Sequence, residues 1–351
     1  MAPIPKRRAR LSRVWLLSSL LFLFLASVHG AQVPQAKPAP AVERVGGTSI
    51  VVADINRSVD FYSRVLSFEK VSDVEALGSD VERLEGLFGV RMRTVRMRLG
   101  DEVIDLTEFL TPQGRPMPLD SRSNDRWFQH VAIIVSDMDR AYRVLREHNV
   151  RHASTGPQLL PAYIKPAAGI RAFYFRDPDN HFLEILQFPP DKGDAKWRRP
   201  SDKLFLGIDH TAIVVNDTDV SLRFYRQTLG MRVAGESDNY GTEQEHLNNV
   251  FGARLRISAL RAAQGPGIEL LEYLAPRDGR PMPQDSRAND LWAWKTILFT
   301  PKTGGLADAL RNGKHTLVSS GLVTLADDRL GFRTGLLVRD PDGHLIQLVT
   351  E

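Results

Sequence analysis

The stretch Arg176-Asp177-Pro178-Asp179-Asn180-His181-Phe182-Leu183-Glu184-Ile185-Leu186 decides the reading of this chain, because it occurs twice. Its second copy, Arg339-Asp340-Pro341-Asp342-Gly343-His344-Leu345-Ile346-Gln347-Leu348-Val349, follows 163 residues later. Each copy opens on Asp-Pro-Asp followed by Asn or Gly, residues that favour a tight turn, and continues as an apolar strand. One polar residue interrupts each strand: Glu184 in the first, Gln347 in the second. A carboxylate in a buried strand is costly unless it is paired, protonated or bound to a cation.

Working outward, the rest of the chain repeats at the same interval. Thr48-Ser49-Ile50-Val51-Val52 reads as a β-branched strand, and Asp54 to Leu66 as a helix that carries Phe61-Tyr62. The phrase returns as Thr211-Ala212-Ile213-Val214-Val215, Asp217, Phe224-Tyr225 and Leu229. A finer repeat lies inside each half. His130 to Val135 is another first strand, Asp137 caps a helix through Glu147, and strands follow at Ala172–Phe175 and Phe182–Phe188. In the last quarter the counterparts are Lys295–Phe299, a helix near Leu306–Arg311, Gly335–Val338 and His344–Val349. The chain therefore reads as an α+β protein of four units, each a strand, a helix and three strands. Within each half the units are joined by a Pro-rich phrase, Gly114 to Trp127 and Gly279 to Trp292, read as a connector anchored by its tryptophan.

Composition bounds what this chain does. With 351 residues it has length for two domains with real cores. Its pI of 9.3 is local in origin: Lys6, Arg7, Arg8, Arg10 and Arg13 precede every acid. Without those five the balance changes from 46 basic against 42 acidic residues to 41 against 42, so no nucleic-acid surface is indicated. The same five charges precede an apolar run from Val14 to Val28, the pattern of a secretory signal. Cleavage is expected after Gly30, leaving a flexible 31–43 segment and a periplasmic or secreted protein with no membrane association once the signal is removed. Two domains are expected at 44–190 and 204–351, joined by a linker at 191–203. There is no cysteine, so disulfides, thiolate catalysis and cysteine-held zinc are excluded.

Four βαβββ units, Phe-Tyr after a first strand and Asp-Pro-Asp-Gly/Asn before an apolar last strand together resemble the vicinal oxygen chelate superfamily. That group includes glyoxalase I, methylmalonyl-CoA epimerase, extradiol dioxygenases and the bleomycin- and fosfomycin-resistance proteins. The resemblance implies two glyoxalase-like domains with cupped mixed sheets, and a divalent metal held by first- and last-strand residues of paired units. Carried over by position, the units offer Gly47 and Asp105, His130 and Glu184, His210 and Glu269, and Trp294 and Gln347. Pairing units two and three collects His130, Glu184, His210 and Glu269; pairing units one and four leaves a degenerate site. Two carboxylates and two imidazoles suit zinc, nickel, iron, cobalt or manganese, and Glu184 or Glu269 is then the candidate general base.

Further residues complete the expectation. The irregular stretch His152–Gly169, with Tyr163, Lys165 and Arg171, is expected to cover the pocket and bind an anionic part of a small-molecule substrate. Glu108 and Glu272 are read as surface residues. His181 and His344, opposite in strand parity to Glu184 and Gln347, are read as braces of their hairpins. Three functions stay open: an exported metalloenzyme of isomerase, epimerase or lyase type; an extradiol-type dioxygenase; and a metal-free binding protein. The assembly expected is a monomer with pseudo-dimeric domains or a weak homodimer.

Overall fold

A computed structural model describes residues 42–301 and 303–350. The expected signal, 1–30, and nearly all of the segment 31–43 lie outside the described residues. Among the described residues, no helix is long and apolar enough to cross a membrane.

The first unit comprises β1 (Arg44–Val51), α1 (Ile55–Arg64), β2 (Glu69–Leu77), α2 (Ser79–Glu85), β3 (Arg91–Leu99) and β4 (Glu102–Thr111). The second comprises β5 (Gln129–Val135), α3 (Met138–Glu147), the short β6 (Arg151–His152) and β7 (Gln158–Leu159), β8 (Arg171–Arg176) and β9 (Phe182–Gln187). The third comprises β10 (Phe205–Val215), α4 (Thr218–Leu222) running into a π-turn, β11 (Arg232–Asn239), α5 (Thr242–Asn248), β12 (Arg254–Arg261) and β13 (Gly267–Ala275). The fourth comprises β14 (Lys295–Phe299), α6 (Thr303–Asn312), β15 (Val323–Thr324), β16 (Thr334–Arg339) and β17 (Leu345–Thr350). Asp54, Asp137 and Asp217 each cap the helix that follows, their carboxylates accepting from its first backbone N–H groups. The short helices α2 and α5 were not expected. Gly78 and Gly241, both at positive φ, end the preceding strands and let the chain turn into them.

Two curled sheets result, and their strand order settles how the units pair. One runs β15-β16-β17-β14-β1-β4-β3-β2, joining units four and one; the other runs β11-β12-β13-β10-β5-β9-β8-β6, joining units three and two. The central contacts, β1 with β14 and β5 with β10, are antiparallel, whereas each unit's first strand lies parallel to its last. The segments 44–190 and 204–351 thus each supply half of both sheets. Chain neighbours meet instead through their helix-side faces. Ile50, Tyr62 and Leu106 of unit one share a core with Ile133, Leu145 and Phe173 of unit two, and Phe224 and Leu270 pack likewise with Leu310 and Leu348.

The repeated phrases now have partners. The Tyr62 hydroxyl donates to Asp177 at 3.3 Å and the Tyr225 hydroxyl to Asp340 at 2.9 Å, tying each Phe-Tyr helix to the Asp-Pro-Asp turn of the next unit. The two connectors grip one another. Arg115 stacks over Trp292 and bonds Asp290, while Arg280 stacks over Trp127 and bonds Asp125. The backbones cross so closely that a Cβ at Gly114 would lie 1.7 Å from the Asn289 carbonyl oxygen, and one at Gly279 would lie 1.8 Å from that of Asn124. His181 braces as expected, but across units: Nε2–H donates to the Leu291 carbonyl at 2.9 Å while Nδ1 meets Asp177. His344 reaches the Val214 carbonyl in the same way.

Candidate metal centre

Register places four polar side chains on one floor. Across the central ladder His210 of β10 faces Ala132, and Ala212 faces His130 of β5. On the outer flanks Glu184 of β9 lies beside Ala132, and Glu269 of β13 lies beside Ala212. Cross-strand neighbours share a face, so two rows converge: Glu184–Ala132–His210 and His130–Ala212–Glu269. The two alanines between them leave the space open.

The contacts follow from that register. His130 Nε2 lies 3.2 Å from Glu184 Oε2, and His210 Nε2 lies 3.7 Å from the same oxygen and 3.4 Å from Glu269 Oε2. His130, Glu184 and His210 are buried and offer ligand atoms within 4.8 Å of one another, which makes them the tight core of the cluster. Glu269 is the more open member, its side chain 25 % exposed against 5 % for Glu184.

A β-bulge between Ile208 and His210 inserts Asp209, so that Asp209 and His210 both reach the cavity. Asp209 accepts from His210 Nδ1 at 3.0 Å, fixing the ring with Nε2 turned to the cluster. Trp197 Nε1 and Arg261 in turn donate to Asp209 at 3.1 and 3.0 Å. Burial works to raise the Asp209 carboxyl, but His210, Arg261 and Trp197 outweigh it and hold it well below the usual carboxylate range. For His210 burial acts downwards, and Glu269, Asp209 and Glu184 push it up to about 9.

The donor set fits a divalent ion. Both ring nitrogens of His130 are buried without a hydrogen-bond partner, an arrangement a polar group rarely keeps unless something else binds it. Two imidazoles and two carboxylates with oxygen and nitrogen donors match the preferences of first-row divalent metals.

Above this floor lies a cavity of about 640 Å³. Leu160, Pro166, Ala167 and Ile170 form one wall, so the irregular loop does cover the site, with apolar side chains. The three residues expected to bind an anion lie elsewhere. Arg171 bonds Asp139 of α3 at 2.6 and 2.9 Å, on the helix side, because β8 turns Ala172 and Tyr174 towards the cavity instead. Tyr163 is exposed, packs on Tyr240 and hydrogen-bonds its carbonyl, and Lys165 is exposed outside the lining. Glu108 and Glu272 also differ from expectation: they accept from the first backbone N–H of α1 and α4, each at 3.1 Å, as helix caps.

Sequence reading missed Asp209, Arg261 and Tyr174. Tyr174 lies directly across from Glu184, its ring 4.9 Å from that of His130. Burial first, then Glu184, Tyr273 and Glu269, push its hydroxyl well above the ordinary phenol range, so it stays a neutral donor. Alternation along β8 carried the signal for Tyr174, two residues after Ala172. Asp209 had none, because a bulge breaks the parity on which such a reading depends.

The glyoxalase/bleomycin resistance protein/dioxygenase superfamily matches residues 44–185 and again 207–348. The chain belongs to this superfamily. A 2-epi-5-epi-valiolone epimerase from Actinomyces sp is 28 % identical over 155 residues, which span 43 % of this chain and 82 % of that protein. Glyoxalase I from Zea mays superposes with a TM-score of 0.58 at 14 % identity, over 88 % of this chain and 92 % of that one, a likeness of fold.

The other sheet of this superfamily member shows what a lost site looks like. Position 210 corresponds there to Gly47, where φ is +115° and a Cβ would lie 2.2 Å from the Val103 carbonyl oxygen, so no ligand side chain fits. Glu269 corresponds to Asp105, which Arg96 holds at 2.8 and 2.9 Å. Unit four needs a correction. Lys295, not Trp294, occupies the place of His130, since Ile297 pairs with Gly47 as Ala132 pairs with His210. Trp294 turns to the helix-side core, its ring 5.4 Å from His181. Ile297 stands where Ala132 does and fills the floor.

Proposed function

We propose that the protein is a divalent-metal-dependent enzyme of isomerase or epimerase type acting on a small substrate with vicinal oxygens. The observation that carries this reading is the convergence of His130, Glu184, His210 and Glu269 on the floor of one cavity. The likeness to an epimerase supports the reaction class. These four residues would hold the ion, which when bound supplies Lewis-acid polarisation of a carbonyl oxygen. Glu269, the more open carboxylate, takes the proton from the carbon beside that carbonyl and returns it to either face. Tyr174 donates a hydrogen bond to a substrate oxygen from the same face, and the wall of Leu160, Ala167 and Ile170 excludes water from the exchanging proton.

The test is the metal content of the protein beside His130→Ala and His210→Ala, with deuterium exchange into a hydroxyketone as the activity readout. About one ion per chain, lost in each variant together with exchange, upholds the reading. No ion after reconstitution with zinc, nickel, iron, cobalt and manganese overturns it.

A second reading has its own support. His130, Glu184 and His210 alone form the tight cluster, and two histidines with one carboxylate are the donors of non-haem iron oxygenases. Oxygen consumption with a catechol, surviving Glu269→Gln, selects it. The basic and apolar N-terminal pattern supports export to the periplasm or medium, and the internal pairing of units supports a monomer that needs no second chain to complete its site.

A further inference from the structure

Arg232 of β11 lies directly across the ladder from Arg261 of β12. Both line the cavity, while Val233 between them turns to the helix-side core. Like charges directly opposite in an antiparallel pair are destabilising, so the pairing needs a reason. The duplication provides a comparison within the same chain. In unit one, 163 residues earlier, the same two positions are Glu69 and Arg98, again directly opposite, and joined by a salt bridge of 2.6 Å. The complementary pair sits on the sheet that lost its ligands. The repulsive pair sits on the sheet that kept them.

The neighbouring acids do not resolve the repulsion. Arg261 is engaged by Asp209, donating to its carbonyl and its carboxylate at 3.0 Å each. Glu236 accepts from Arg256 and Ser258, and Asp194 from the Lys196 backbone. Arg232 makes no hydrogen bond or ion pair with any described residue. A guanidinium without a partner, exposed at the edge of a cavity and backed by a second guanidinium, is matched by an oxyanion, whose two oxygens it can bond in parallel.

We infer that Arg232, with Arg261 beside it, docks an anionic group, a phosphate monoester or a carboxylate, at the far end of the substrate. The substrate then has two recognised ends: vicinal oxygens over the His130–Glu184–His210 floor and an anion at the arginine pair. The assignment of the first end rests on the function proposed above; that of the second does not.

The probes are dihydroxyacetone, dihydroxyacetone phosphate and 5-hydroxy-4-oxopentanoate, which share a hydroxyketone and differ in the tail. They are titrated calorimetrically into cobalt-loaded wild type and Arg232→Glu, a variant that recreates the Glu69–Arg98 arrangement and so should fold. Wild type is expected to bind at least one anionic probe about tenfold or more tightly than dihydroxyacetone, and Arg232→Glu to lose that preference. Whether the phosphate or the carboxylate is preferred identifies the anion. Equal binding of all three by wild type overturns the inference. So does a preference that survives in Arg232→Glu, since the tail would then be binding the metal. Should no ketone bind because no metal is held, inorganic phosphate is followed by phosphorus NMR with the metal-free protein. Line broadening in wild type and not in Arg232→Glu upholds the arginine site without the metal reading; no broadening in either overturns it.

Discussion

The Lys295 ammonium lies 2.6 and 2.7 Å from the two Glu85 oxygens, at the place in one sheet that the His130 ring occupies in the other. Together with Arg96 on Asp105 it neutralises this cup from within, so the sheet needs no bound cation. Both groups of the Lys295–Glu85 pair are buried, so removing one partner strands the other charge. Lys295→Met is expected to lower the unfolding free energy by about 3–5 kcal/mol, and Lys295→Met with Glu85→Leu to recover most of it. Urea denaturation of the single and double variants measures this, and metal content should stay as in wild type.

Ala132 and Ala212 keep the other floor open, and Ile297 shows what closes it. Ala132→Ile is therefore expected to abolish metal binding while costing only about 1–3 kcal/mol of stability from overpacking. Metal analysis beside a thermal melt separates the two effects. A variant that still holds its ion would show that the ligands converge elsewhere than over Ala132.

Asp209 touches no substrate position; it holds the His210 ring through Nδ1. Asp209→Asn should weaken metal binding by about 10–100-fold without changing the number of ions bound at saturation. A competition titration with a chromophoric chelator reads the affinity. Loss of stoichiometry instead of affinity would point to a broken fold around the bulge.

In the metal-free protein His210 is pushed up to about 9 from an ordinary value of 6.5. A raised pKa stabilises the fold below pH 6.5, and that contribution is lost as pH rises through 9. Metal and proton then compete for the ring. Binding at neutral pH is expected to release about one proton per ion from His210, with affinity falling roughly tenfold per pH unit on acidification. Calorimetry in buffers of different ionisation enthalpy measures the release, which should be absent in His210→Ala.

Much of the site was legible before the fold was known. His130, Glu184, His210 and Glu269 are polar residues within apolar strands, and the 163-residue repeat aligned them with positions where Gly47, Asp105 and Gln347 stand instead. The error at Trp294 arose from the same repeat: the fourth unit's first strand is offset by 165 residues from the second's, and only the ladder with β1 shows that Lys295 is the match. The anion site was placed in the right cavity wall but on the wrong residues. Arg171, Tyr163 and Lys165 lie near the loop in sequence, whereas Arg232 and Arg261 come from two strands of another unit and meet only through sheet pairing.

The sequence by itself determined the four units, their helices and the identity of the ligands, because turn chemistry, capping aspartates and strand alternation are local and the duplication prints each of them more than once. It did not determine which units share a sheet. That choice lies in the β5–β10 and β1–β14 ladders and in the crossing of the two connectors, contacts between residues about 80 to 250 positions apart. Backbone hydrogen bonds are indifferent to side-chain identity, so nothing local to β5 names β10 as its partner. Only the packing of all four units, with alanine on one floor and Ile297, Lys295 and Glu85 on the other, made one cup a site and the other a core.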